Sequence, residues 1–170
     1  MTWGIPTPLF LQIHVVLSLI GIATGLVMLA GMLTGRHLAA WAALFLATTV
    51  LTGVTGFPLP PFGLDPPRII GILLLALLAA ATAALYVFAL SGWWRSVYVI
   101  TALVSLYLNV FVAIVQSFQK IGPLNALAPT QSEPPFAVAQ LVTLALFLAL
   151  GIFAWRRFAR GGAKPRASLA

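Results

Sequence analysis

Leu9–Leu33 reads LFLQIHVVLSLIGIATGLVMLAGML, 25 residues without a single Asp, Glu, Lys, Arg or Pro. As a helix rising 1.5 Å per residue it is ~37 Å long, enough to cross the ~30 Å hydrocarbon layer of a bilayer. Runs of the same kind recur at Leu38–Phe57, Ile69–Leu90, Val97–Phe118 and Ala137–Trp155, again free of acids, Lys and Arg. None alternates apolar and polar residues as a membrane-barrel strand does, and lipid demands that each segment satisfy its own backbone. Helix is the consistent choice. Pro is absent from all five runs and crowds into the N-terminus (Pro6, Pro8) and two connections, Pro58–Pro67 and Pro123–Pro135, where helices are expected to stop. The expectation is an all-α, polytopic transmembrane bundle of five helices, one domain over residues 1–157, followed by a basic tail, 158–170.

Composition agrees. Of 170 residues, 62% are hydrophobic and 6% are charged, against about half and about a quarter in ordinary soluble domains. So few charges cannot clothe a water-soluble globule of this size, and the apolar content excludes a disordered chain. The absence of Cys removes disulfides, thiolate metal sites and Cys nucleophiles. The first run has no basic residue before it and is too long for a signal-peptide core, so it reads as a retained helix.

Orientation follows from the cations. With five crossings, Arg36, Arg95, Arg156, Arg157, Arg160, Lys164 and Arg166 fall on one side. Arg68 and Lys120 fall on the other, together with both acids, Asp65 and Glu133. The positive-inside rule then gives N-terminus out and C-terminus in. Trp41, Trp93, Trp94 and Trp155 all sit at cytoplasmic helix ends, as an interfacial aromatic belt requires. The net charge of +7 thus belongs to membrane topology, and nucleic acid is not an expected partner.

Small residues mark where helices meet in lipid. Gly21 and Gly25 form a small-xxx-small pair, repeated at Gly31 and Gly35; Thr48, Thr52, Gly56, Thr49 and Gly53 mark the second span. The third span carries an alanine ridge, Ala76, Ala80 and Ala84 beside Ala79 and Ala83. The pattern predicts spans one to three closely apposed within one chain.

Polar residues inside spans are the functional candidates. His14 is the one ionisable group, roughly 8 Å below the outer start of its run. Asn109 and Gln116 are seven residues apart and nearly eclipsed on the fourth span, with Lys120 continuing that flank. Gln140 enters the fifth span at a similar depth. Together, His14, Asn109, Gln116 and Gln140 predict a small ligand-binding or helix-bridging cluster in the outer half. Above it lie two Pro-rich outer connections carrying Asp65, Arg68, Lys120 and Glu133, expected to fold down as a cap. Ser132-Glu133-Pro134-Pro135 reads as a helix start with Pro in the first turn.

The stretches Leu106-Tyr-Leu-Asn-Val-Phe-Val, Val115-Gln-Ser-Phe-Gln-Lys and Leu127-Ala-Pro-Thr-Gln-Ser-Glu-Pro-Pro-Phe136 resemble an uncharacterised family of small bacterial multi-pass inner-membrane proteins. The resemblance implies that location and brings no activity, substrate or cofactor.

Three functional classes can be weighed. A non-enzymatic accessory or binding subunit, working within a larger membrane complex or as a homo-oligomer, fits the small size and the packing motifs. A haem- or quinone-binding redox protein is the alternative. His14 and His37 are 23 residues apart, about 35 Å along a helix, and cannot ligate one iron within a chain. A quinone is less demanding, since His14, Gln116 and Gln140 can donate to its carbonyl oxygens. A small oligomeric transporter or channel comes third, since no span holds an acid and five spans do not divide into equal halves. Hydrolytic chemistry is weakest: no nucleophile elbow, carboxylate pair, HExxH metal pattern or phosphate-cradling loop is present. The sequence implies no particular cofactor or metal.

Reporter fusions test the topology directly. A periplasm-dependent reporter is expected to be active at the N-terminus and inactive at the C-terminus; activity at both would refute an odd number of crossings.

Overall fold

The computed structural model describes residues 1–59 and 66–160. Among them the regular structure is all helical, apart from an isolated antiparallel bridge between Thr2 and Ile5, and short turns and loops join the helices. The helices are α1 (Thr7–Leu33), α2 (Ala39–Gly56), α3 (Pro66–Thr82), α4 (Trp94–Lys120), α5 (Gly122–Leu127) and α6 (Pro134–Ala154). Helix α3 runs on as a wider π-helical turn over Ala83–Val87, and α6 does so over Trp155–Ala159. Five of these helices are long and apolar enough to cross a membrane. The described part of the tail belongs to the bundle: Phe158 is 3% exposed and continues α6, so the helical domain extends beyond the expected 157 boundary. Residues 161–170 lie outside the described residues.

Helix ends follow the sequence rules. Pro8 stands in the first turn of α1, and α6 starts at Pro134-Pro135 after Glu133, as the Pro pattern predicts. The carboxylate of Glu133 accepts from the Thr130 backbone N–H at 3.2 Å, the Thr130 hydroxyl at 2.9 Å and the Ser132 N–H at 3.1 Å. The carboxyl loses some hydration, which disfavours its charge, but these donors outweigh that loss and hold it below the usual carboxylate range. At the other end of α1, Gly35 adopts φ +72°, the left-handed conformation that lets the chain turn into α2.

The small residues of α1 do bring helices together. A Cβ on Gly25 would lie 2.6 Å from Leu106 Cδ1 of α4 and 2.8 Å from Phe45 Cδ2 of α2. A Cβ on Gly21 would lie 2.9 Å from Thr49 Oγ1 and 3.3 Å from Asn109 Nδ2. Both glycines therefore serve packing within the chain, holding α1 against α2 and α4 at once. On α2, a Cβ at Gly53 would meet Leu75 Cδ2 of α3 at 2.8 Å.

Two packing expectations are corrected. Of the alanine ridge Ala76 and Ala79 are exposed, Ala80 and Ala83 are half-buried and Ala84 is buried, and the inner face is completed by Leu74, Leu78, Ala81 and Leu85. Leucine burial against α4 removes more apolar surface than an alanine ridge could, so the larger side chains define the inner face. Nor are the first three spans mutually apposed. Helix α1 packs on α2 and α4, and α3 packs on α2 and α4, but α1 and α3 touch at most marginally.

At the end of the bundle away from the N-terminus, aromatics and cations close the core. Tyr98 donates to Met28 Sδ at 3.4 Å, Arg95 donates to the Phe158 carbonyl at 3.4 Å, and Trp155 Nε1 donates to Ser96 Oγ at 3.0 Å. The Arg160 guanidinium sits 4.3 Å from the Trp155 ring centroid.

Gly25→Val is expected to destabilise the fold by about 1–3 kcal/mol through overpacking against Leu106 and Phe45. Ala76→Val, on the exposed flank of α3, is expected to stay within about 0.5 kcal/mol of wild type. Thermal unfolding of the two variants in the same detergent checks the contrast; equal losses would overturn the assignment of α1 as the packing centre.

Candidate functional site

The gap between α1 and α3 is a cavity of about 740 Å³, floored and backed by α2 and α4. That volume is in the range of small-molecule sites. Its mouth lies at the end of the bundle that carries the N-terminus, beside Arg68 and Lys120. From Lys120 the lining descends along α4 through Gln116 to Asn109, 11 residues and so ~16 Å deep. The walls are apolar, from Leu11, Val15 and Leu19 on α1, Leu74 on α3 and Leu108 and Val112 on α4.

His14, half-buried, lines this cavity on α1. Its Nδ1 lies 2.9 Å from Thr55 Oγ1 of α2. The Thr55 hydroxyl itself donates back to the Leu51 carbonyl at 2.7 Å. A hydroxyl has one proton, so with that proton given to Leu51 the Thr55 oxygen is an acceptor for His14 Nδ1–H, and a singly protonated ring in that arrangement carries its lone pair on Nε2. Gly56 stands alongside, where a Cβ would be 3.5 Å from His14 Cε1.

Three other hydroxyls of the cavity are committed in the same way, while the Thr7 hydroxyl at its mouth pairs with that of Thr2 at 3.1 Å. Ser18 donates to the Val15 carbonyl at 2.8 Å, Thr52 to the Thr48 carbonyl at 2.9 Å and Ser117 to the Ala113 carbonyl at 2.8 Å. Each therefore offers the cavity only lone pairs. Asn109 is 7% exposed and gives one N–H to Thr49 Oγ1 at 3.5 Å, while its Oδ1 accepts no bond among the described residues. The Gln116 amide lines the cavity with no partner among the described residues. At the mouth, Arg68 Nη2 donates to the carbonyls of Leu59 at 2.8 Å and Phe57 at 3.3 Å, which ties α3 to the end of α2.

The structure thus gathers His14, Asn109, Gln116, Arg68 and Lys120 around one space. Gln140 is not among the residues lining it: its Nε2 donates to the Phe111 carbonyl at 3.3 Å, on the α6 side of α4, and its Oε1 is buried without a partner. His14 Nδ1 is engaged by Thr55, which leaves Nε2 as the ring nitrogen available to a ligand. Glu133 organises its own turn and does not line the cavity; Asp65 lies outside the described residues.

Of the second Pro-rich connection, Gln119, Lys120 and Ile121 at its start line the cavity. The remainder lies over α4 and α6, with Gln131 Nε2 donating to the Val115 carbonyl at 3.0 Å and Phe118 packed edge-on to Phe136. At the first connection Leu59 and Arg68 line the cavity beside Phe57 at the end of α2, and residues 60–65, which the expected cap includes, lie outside the described residues. Thr55, which fixes the His14 ring, was not among the residues singled out in the sequence. Its signal was the Thr48, Thr49, Thr52 and Thr55 spacing, which turns one face of α2 polar toward its end.

No family model, curated protein or solved structure matches this chain.

The second histidine has a different setting. His37 lies in the α1–α2 connection at the far end of the bundle, 6.1 Å centroid to centroid from Tyr98 and 6.2 Å from Phe158. Burial, and then the Arg95 charge, lower its pKa below the ordinary 6.5. A depressed folded-state pKa means stability that is present above the unfolded value and lost as pH falls. The wild type is therefore expected to lose thermal stability relative to His37→Gln as pH is lowered below about 6.5. A gap that stays constant from pH 7.5 to 5.5, read by parallel melts, would contradict it.

Proposed function

We propose that this chain is a polytopic protein of the bacterial inner membrane, N-terminus outside, that binds a small amphipathic molecule in the outer half of its bundle. The observation that carries the reading is the cavity between α1 and α3, with apolar walls, the polar groups of His14, Asn109 and Gln116, and cations at its mouth. Concave, mostly apolar sites with a few convergent polar groups are how proteins hold small ligands. The basic residues concentrated at the C-terminal face support the orientation, which turns the mouth toward the outer compartment. The role is that of a binding or accessory subunit rather than an enzyme.

A partner surface is supported by α6. Only 6% of the most apolar window of that helix is buried within the chain. Its exposed Val138, Leu141, Val142 and Phe153 suit either lipid or a neighbouring subunit, a second copy included.

Purification in mild detergent, solvent extraction and mass spectrometry test the ligand. A small amphiphile is expected in near-stoichiometric amount from wild type and from His37→Ala, and reduced at least severalfold from His14→Ala. Equal retention by the two variants would defeat the assignment of His14 to the site.

A further inference from the structure

We infer that the ligand of this cavity presents a hydroxyl donor to His14: it is an apolar body carrying an aromatic or aliphatic OH, and not a carbonyl or ether of the same shape. The inference rests on the binding role proposed above and concerns which chemistry the site selects. It follows from proton accounting. Thr55 gives its proton to Leu51 and so must accept from His14 Nδ1, leaving Nε2 as a lone-pair acceptor. Ser18, Thr52 and Ser117 have likewise directed their protons to their own helix, so these three hydroxyls add acceptors and no donors. Donors are found along α4 toward the mouth, at Gln116 and Lys120. A hydroxyl suits this arrangement because it donates to Nε2 and can still accept from the Gln116 amide. A carbonyl or ether oxygen placed at His14 faces a lone pair and leaves both groups unsatisfied. A site built around a hydrogen bond rejects the analogue that lacks the matching group more strongly than an apolar pocket rejects a missing methylene.

Thr55 is the positioning residue. It does not line the cavity, and it acts by fixing which ring nitrogen carries the proton.

Two matched pairs test this on the purified full-length protein in nanodiscs: duroquinol against duroquinone under anaerobic conditions, and 1-decanol against its isomer methyl nonyl ether. In at least one pair the hydroxyl member is expected to bind about tenfold more tightly; the pair that responds distinguishes an aromatic diol from an alkyl alcohol. His14→Ala is expected to abolish the preference. Thr55→Val is expected to reduce it several-fold while leaving the non-donor member's affinity unchanged. Independently of these variants, ¹⁵N-histidine spectra of His37→Gln, which retains His14 alone, are expected to show Nδ1 protonated and Nε2 bare. Equal or tighter binding of duroquinone and the ether, or the opposite tautomer, would overturn the inference and leave the cavity a binding site. Absence of saturable binding by all four compounds would overturn both.

Discussion

The hydrogen bond from His14 Nδ1 to Thr55 Oγ1 is the contact from which the chemistry of this bundle follows. In so apolar a segment a hydroxyl finds its acceptor within its own helix, and Thr55 finds it in the Leu51 carbonyl. That local choice fixes the direction of a bond between helices, and with it the polarity of the ring. Such a bond between helices in lipid contributes only ~0.6 kcal/mol on average. Its larger consequence is orientation: a ring that would otherwise exchange its proton between two nitrogens is held as a defined acceptor facing a cavity.

Close packing makes that geometry possible. Gly21 and Gly25 let α1 reach α2 and α4 at distances that a methyl group would violate. The same contacts place Thr49 beside Asn109 and carry His14 to the level of Thr55. On the far side, Leu74, Leu78 and Leu85 draw α3 onto its neighbours. Because α1 is pinned by small residues and α3 by large ones, each to α2 and α4, neither closes on the other. The opening between them is the product of two good packings with different spacings.

Much of this was legible in the sequence. Five uncharged runs bounded by Pro and cations gave five long helices, because length and apolarity leave the backbone no other solution. His14, Asn109 and Gln116 could be brought together from depth and helical phase alone. Gln140 could not be separated from them, since depth in a span says nothing about which neighbour a helix faces. The alanine ridge of α3 misled for a related reason: small residues permit close approach without requiring it, and Ala76 and Ala79 are left exposed. Thr55 escaped notice because its role lies in where its proton goes, a property of the folded pair rather than of either residue. The second Pro-rich connection reads as a lid, yet Gln131 and Phe136 anchor it over α4.

The glycines separate what packing requires from what the cavity requires. At Gly21, Gly25 and Gly53 an added Cβ would come within 3.0 Å of a neighbour, so glycine is needed for helix contact. Gly56 and Gly71 differ. An added Cβ would lie 3.5 Å from His14 Cε1 at the first and 3.7 Å from Phe57 Cζ at the second, both ordinary van der Waals distances. Alanine would fit at either position and would favour the helix by about 1 kcal/mol. Both glycines line the cavity, so a methyl group would take up part of its volume, beside the imidazole at Gly56 and beside the Phe57 ring at Gly71. Protein interiors leave few voids larger than a water molecule. Glycine at these two positions keeps that volume open where neighbouring side chains do not demand it.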